Sequence, residues 1–115
     1  MSLEAKLALK DRPIRVVDPP SGFDLASGPP RPGDAALLVF VKDRAALRKQ
    51  MAKIVGSAVA DRLTWVAYPK GGQLGTDLNR DSLAELLQDE GAQPVTQISI
   101  DSTWSALRFR PARGK

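Results

Sequence analysis

The feature that most constrains the fold is an unbroken apolar run from Ala35 to Val41, with the sequence AALLVFV. Apolar residues without alternation are typical of a strand that is covered on both faces, as strands are in parallel sheets. The run is far shorter than the roughly 20 residues that cross a bilayer. It therefore predicts a buried strand, expected to be the central strand of an α/β sheet, and no membrane association.

A helix and a second strand follow this run. Asp43 is suited to cap the helix. The basic residues of the helix lie on the face opposite its apolar positions and suit a solvated surface. Apolar residues recur along it at spacings of three and four: Leu47, Met51, Ile54, Val55, Ala58 and Val59. Because Leu63 to Tyr68 forms the next apolar stretch, the order strand, helix, strand predicts a parallel pair.

The last third of the chain predicts another helix and a strand hairpin. A glycine-rich loop from Lys70 to Gly75 leads to a helix near Arg80 to Glu90, with Gly91 as its C-cap. The strands that follow are expected at Val95 to Ile100 and Trp104 to Arg110. Three residues separate them, too few for a crossover, so the pair must be antiparallel.

These elements predict one α/β domain over residues 1–115, a length suited to a single core. Its sheet is expected to be mixed, mostly parallel and about five-stranded, in a three-layer arrangement with a C-terminal antiparallel hairpin. Residues 1–13 are expected to form an N-terminal helix or arm. A short strand from Ile14 to Asp18 precedes a connection over residues 19–34 that is rich in proline and glycine.

The composition removes several kinds of chemistry. The chain has no histidine and no cysteine, which excludes imidazole and thiolate catalysis, disulfides, zinc ribbons and imidazole metal sites. The formal net charge is +4, and Arg108, Arg110, Arg113 and Lys115 give the chain end a basic character. A net positive charge is compatible with nucleic-acid binding, but two tryptophans and one tyrosine offer few surfaces on which bases could stack.

We expect a cytoplasmic protein.

Three segments carry a resemblance to a known family: Trp65 to Lys70, Thr76 to Leu78, and Asp101 to Phe109. They resemble an uncharacterised family of small bacterial proteins, a domain of unknown function, over about residues 35 to 111. That family is similar to the C-terminal half of class I methyltransferases. The resemblance implies a truncated methyltransferase-like, or Rossmann-like, sheet in which the last, antiparallel strand lies between two neighbours.

Methyltransferases of that class bind S-adenosylmethionine through a glycine-rich turn after their first strand. The corresponding turn here is Asp18-Pro19-Pro20-Ser21-Gly22, in which two prolines remove two backbone donors. We therefore expect no cofactor of this kind. The glycine-rich stretch from Gly71 to Thr76 is similar to a phosphate-binding loop but lacks the spacing of a Walker motif.

The resemblance implies six candidate ligand-binding residues without assigned roles: Trp65, Lys70, Asp77, Asp101, Trp104 and Arg108. Ligands of open parallel sheets bind beyond the carboxyl ends of the strands. We expect a cluster at that edge, in which Lys70 pairs with a carboxylate and Trp104 covers the pair. Asp77 and Asp101 are two carboxylates on separate elements, a weak indication of Mg²⁺, and we expect no metal site and no catalytic residue.

The expected function is that of a non-catalytic methyltransferase-like α/β module that binds a protein partner or a small molecule. Two alternatives stay open at this point. One is a divergent methyltransferase or an enzyme for a phosphate ligand, and the other is a weak nucleic-acid binder. An exposed sheet edge would also permit a homodimer.

Overall fold

The computed structural model describes Leu7, residues 14–20 and residues 36–112. The expected N-terminal helix, apart from Leu7, and residues 21–34 of the connection lie outside the described residues, as do Arg113 and Lys115 of the basic chain end. The elements in chain order are β1 (Ile14–Val17), β2 (Ala36–Phe40), α1 (Arg44–Val59), β3 (Leu63–Pro69), a 3-10 helix (Lys70–Gly75), α2 (Arg80–Gln88), β4 (Ala92–Ser99) and β5 (Trp104–Pro111).

The five described strands form one mixed sheet in the order β1-β2-β3-β5-β4. The pairs β1–β2 and β2–β3 are parallel, whereas β5 runs antiparallel to both β3 and β4. The α/β class, the mixed five-stranded sheet and the C-terminal antiparallel hairpin are thus confirmed. The apolar run forms β2, every residue of which is buried, but β3 lies at the centre of the sheet.

The helix α1 begins at the predicted cap. Asp43 accepts a hydrogen bond from the backbone N–H of Ala46 through Oδ1, at 2.9 Å. Leu47, Ile54 and Ala58 are buried at the predicted spacing. The prediction that Val59 also points inward is wrong: it is 50% exposed, because it is the last helical residue, where the chain leaves the core.

The helix α2 begins with a reciprocal capping interaction between Asn79 and Ser82, each side chain accepting from the other's backbone N–H. It ends at Gln88 with Asp89 as the C-cap, so the predicted cap at Gly91 is corrected. Gly91 instead adopts a φ of +99° two residues later, where the chain turns into β4. A positive φ is readily adopted only by glycine.

Both described helices pack on one face of the sheet. Their buried leucines, together with Ile54 and Ala58, contact alternate residues of β2, β3 and β5, including Val39, Val66 and Phe109. The opposite face carries a second cluster around Trp65 and Trp104, against which Leu7 is packed. Neither α1 nor α2 has the length and apolar composition that a membrane-spanning helix needs.

The outer strand β4 is irregular. Its pairing with β5 shifts between Pro94 and Thr96, which places Val95 in a bulge, where it is 44% exposed. Proline has no N–H to give to a ladder, so it is accepted on an edge strand and beside a bulge.

Candidate functional site

A cleft of about 430 Å³ opens at the carboxyl edge of the sheet. It is lined by residues that follow β1 and β2, by one face of α1, by Leu74 of the 3-10 helix and by the first residue of β5, Trp104. Because β1, β2 and β3 are parallel, their carboxyl ends meet at this edge. The cleft therefore lies where ligands of open α/β sheets bind.

Two aromatic side chains line the inner part of the cleft. The rings of Phe40 and Trp104 meet edge to face, with centroids 5.1 Å apart and planes at 81°. This geometry is favourable for aromatic pairs because a ring edge is positive and a ring face is negative. Trp104 is only 7% exposed, so the pair belongs to the core and offers the cleft a rigid apolar surface.

The wall of the cleft on the helix side comes from one face of α1. Ala45, Ala46, Lys49 and Gln50 repeat at a spacing of four and line the same surface. The two alanines leave the space beside the first turn open. Gln50 Nε2 donates to Asp18 Oδ2 at 3.2 Å, which joins this face of the helix to the turn after β1.

The remaining polar groups of the cleft have both signs. Lys42 and Lys49 contribute ammonium groups, and Asp18 and Asp43 contribute carboxylates, of which Asp43 uses one oxygen for the helix cap. Leu74, with 63% of its surface exposed, adds an apolar group at the mouth. The surface thus suits a molecule with an apolar or planar body and charged substituents.

Of the six candidates from the sequence, only Trp104 lines the cleft. Lys70 lies nearby, but the expected pairing with a carboxylate is absent among its described contacts: Nζ donates to Ser99 Oγ at 2.6 Å. The expected glycine-rich loop after Lys70 is assigned as a short 3-10 helix instead, in which Gly71 and Gly75 adopt positive φ angles of +49° and +66°. Lys70 N also donates to Thr103 O at 2.8 Å, so both groups of this residue hold neighbouring turns together.

Asp101 supports the turn that leads into β5. Its Oδ1 accepts from the backbone N–H groups of Thr103 and Trp104, each at 2.8 Å. This is the ordinary role of an aspartate in a tight turn. Asp101, which the sequence predicts as a ligand-binding candidate, therefore positions Trp104 through its carboxylate.

Asp77 supports the start of α1 from the loop before α2. Its Oδ1 accepts from the backbone N–H of Arg44 at 2.8 Å, and its carbonyl accepts from Arg44 Nε at 3.1 Å. Asp77 and Asp43 therefore satisfy two of the N–H groups that a helix N-terminus leaves without partners. This end of the helix is closed by carboxylates of the chain itself.

Trp65 and Arg108 lie on the sheet face opposite the helices. They are cross-strand partners on β3 and β5. Trp65 is buried, and its Nε1 donates to the carbonyl of Leu7 at 3.0 Å. This bond joins the N-terminal part of the chain to the sheet, and neither residue lines the cleft.

Sequence reasoning located the edge but missed most of the lining. The residues that it missed are Phe40, Ala45, Ala46, Lys49, Gln50 and Leu74. The spacing of four along the start of α1 was a usable signal, because Ala45, Ala46 and Gln50 are neither predicted core positions nor part of the basic surface of the helix. Across the described residues, no group of three or more Asp and Glu side chains is placed to hold a metal ion.

Among the described residues, Tyr68 has a raised pKa; it does not line the cleft and lies in the core beneath the helices. Burial raises the pKa of its hydroxyl, while Arg80 and a hydrogen bond to Ser105 lower it by less. The protonated form is therefore favoured in the folded chain. The contribution of the protonated Tyr68 hydroxyl to the free energy of unfolding is complete below about pH 10, the ordinary pKa of tyrosine. It is lost as the pH rises through the higher pKa that this hydroxyl has in the folded chain.

We expect the alkaline titration of Tyr68, the single tyrosine of the chain, to have its midpoint above that of the urea-unfolded chain. The ultraviolet absorbance of the phenolate measures both. Tyr68→Phe should lose less stability than the native chain as pH rises in this range, because it lacks the group that must ionise. Coinciding folded and unfolded midpoints would contradict the argument.

The chain was compared with known families, curated proteins and solved structures, and none of the three comparisons gave a match.

Proposed function

We propose that this chain is a non-catalytic α/β binding module of methyltransferase-like architecture, whose cleft at the carboxyl edge takes a small organic molecule. The observation that carries the proposal is the position of this cleft, beyond β1 and β2 and against the Phe40–Trp104 pair. Its volume of about 430 Å³ falls within the range of small-molecule sites, which are mostly apolar with a few polar groups.

The charges of the lining favour a ligand with an aromatic or apolar body and an anionic group. Lys42 and Lys49 are exposed ammonium groups, and neither makes an ion pair within the described part of the chain. The carboxylate of Asp18 already accepts from Gln50, and one oxygen of Asp43 caps α1. Both carboxylates keep their charge but have these intramolecular donors, whereas the two ammonium groups are left to bind an anionic substituent, and the ring surface would take the rest of the molecule.

Two features support a binding role over catalysis. The chain has neither histidine nor cysteine, so a catalytic acid or base would have to come from a carboxylate, lysine or tyrosine. The carboxylates Asp43, Asp77 and Asp101 at this edge each accept a backbone N–H. Their oxygens hold turns and a helix end in place.

The proposal is tested by fluorescence titration with 8-anilinonaphthalene-1-sulfonate, a probe that combines aromatic rings with a sulfonate. We expect saturable binding, with a change in the fluorescence of Trp104. Ala45→Phe should weaken the affinity about tenfold, equivalent to about 1.4 kcal/mol, because the ring fills the space beside the first turn of α1. Val59→Phe, at the exposed last position of the same helix and outside the cleft, is the matched control and should bind normally.

Equal affinities of the native chain and Ala45→Phe would refute the proposed site. Calorimetry with S-adenosylmethionine tests the catalytic alternative, since tight binding would favour a divergent methyltransferase over a non-catalytic module. Native mass spectrometry of the purified protein should in addition reveal a bound small molecule, which Ala45→Phe would fail to retain.

A further inference from the structure

A second pocket, of about 300 Å³, lies at the other end of α1 from the cleft. It is formed where the second half of α1 stands over β1 and the start of β2. Three basic side chains line it, each from a different part of the fold: Arg15 of β1, Lys53 of α1 and Arg62, which precedes β3.

The charge of this pocket is of one sign among the described residues that line it. No aspartate or glutamate is among them. The ion pair within the described residues joins Arg110 to Asp61, neither of which lines this pocket. Like charges in the lining of one pocket repel each other, and an anion bound among them relieves that repulsion. The arrangement therefore favours a multiply charged anion.

Small residues give the pocket its depth. Ala52 and Gly56 occupy successive turns of α1 on the pocket side, and a Cβ at Gly56 would meet nothing within 4 Å. A larger side chain at either position would project into the space between the cations. The concavity is thus a property of the sequence of this helix face.

A buried hydrogen-bond chain fixes the segment that carries Arg62. Thr64 Oγ1 donates to the carbonyl of Arg62 at 3.0 Å, and the hydroxyls of Ser57 and Thr64 are 2.7 Å apart. Because the single hydroxyl proton of Thr64 goes to Arg62, Ser57 must be the donor between the two hydroxyls. The Ser57 hydroxyl proton is therefore already donated to Thr64, so the side chains left to bind an anion are Arg15, Lys53 and Arg62.

We propose that this pocket binds the phosphate group of a small molecule, either a free phosphate or the phosphoryl end of an organic phosphate. Two guanidinium groups match the geometry of phosphate oxygens, and lysine adds a point charge. The pocket is open to solvent and has a volume of about 300 Å³, which suits a compact anion better than a polymer. This site is separate from the carboxyl-edge cleft and does not depend on the function proposed for it.

The test is calorimetric titration with pyrophosphate in low-salt buffer. We expect saturable binding that weakens as the salt concentration rises. Arg62→Gln and Arg15→Gln should each lower the affinity about tenfold, the loss typical of a charge-assisted hydrogen bond. The matched control is Arg48→Gln, which removes an exposed cation of α1 that does not line the pocket, and it should bind as the native chain does.

Gly56→Met separates binding from folding. Methionine favours the helical backbone more than glycine does, so the variant should unfold at the same or a higher denaturant concentration while its side chain blocks the pocket. Loss of pyrophosphate binding with retained stability supports the proposal. Ala45→Phe, which fills the cleft, should leave pyrophosphate binding unchanged.

Titration with adenosine 5′-diphosphate distinguishes the source of the phosphate: tighter binding than pyrophosphate indicates an organic phosphate, and weaker binding indicates the free anion. The proposal is overturned if the native chain does not bind pyrophosphate at low salt, or if Arg48→Gln weakens binding as much as Arg62→Gln. It is likewise overturned if a single-stranded oligonucleotide binds more tightly than pyrophosphate and loses affinity equally in Arg48→Gln and Arg62→Gln. The exposed basic residues along α1, and not the pocket, would then be the binding site.

Discussion

Trp65→Ala is expected to lower the free energy of unfolding by about 3–5 kcal/mol, the usual cost of removing a large buried aromatic side chain. Trp65 is almost completely buried on the sheet face opposite the helices, in the same cluster as Leu38 and Ala67. Its loss leaves a cavity and removes the bond from Nε1 to the carbonyl of Leu7. Urea unfolding followed by circular dichroism measures the effect.

Trp65→Phe is the matched variant, because it keeps an aromatic ring and most of the apolar surface but lacks the N–H donor. We expect it to cost about 1–3 kcal/mol, the range for a buried acceptor that loses its partner. Its affinity for the naphthalene sulfonate probe should be unchanged, since Trp65 does not line the cleft. A variant with native stability but weakened probe binding would instead assign Trp65 to a ligand.

Combined replacement of Asp43 and Asp77 by alanine is expected to lower the free energy of unfolding by about 2–3 kcal/mol. Each carboxylate accepts a backbone N–H in the first turn of α1, from Ala46 and Arg44 respectively. Loss of one capping side chain costs about 1 kcal/mol, with a range of 0.5–2. Urea denaturation of both single variants and the double variant measures the effect.

The same variants distinguish a structural role of Asp77 from a ligand role. Because the two aspartates act on one helix end, the double variant should depart from the sum of the singles. Asp77→Asn keeps an acceptor oxygen and should recover most of the stability. Native stability of Asp77→Ala would contradict the capping role.

The fold could be predicted largely because its strongest signals are local. The apolar runs of β2 and β3 leave no polar face, so both strands had to be interior. The three-residue link before Trp104 excludes a crossover, and β5 is indeed antiparallel to β4. Positions at the ends of elements were less predictable: Val59 and Gly91 fit their patterns but lie where a helix ends and the chain turns.

The candidate site was harder to predict because a carboxylate beside a turn has two uses that look alike in sequence. The sequence predicts Asp77 and Asp101 as possible ligand contacts, whereas both accept backbone N–H groups. The contact of Phe40 with Trp104 joins residues 64 positions apart, and only the placement of β5 beside β3 brings them together. Lys70 has a hydroxyl partner because Ser99 at the end of β4 reaches the same edge.

The bulge at Val95 also affects how copies of this protein can meet. A straight outer strand offers a regular row of N–H and C=O groups on which a second molecule can extend the sheet. Here Pro94 supplies no N–H, and the bulge breaks the regular spacing of that row. The other outer strand of the described sheet, β1, has only four residues. Growth of the sheet from one molecule into the next is therefore disfavoured at both rims, which directs any self-association toward side-chain surfaces.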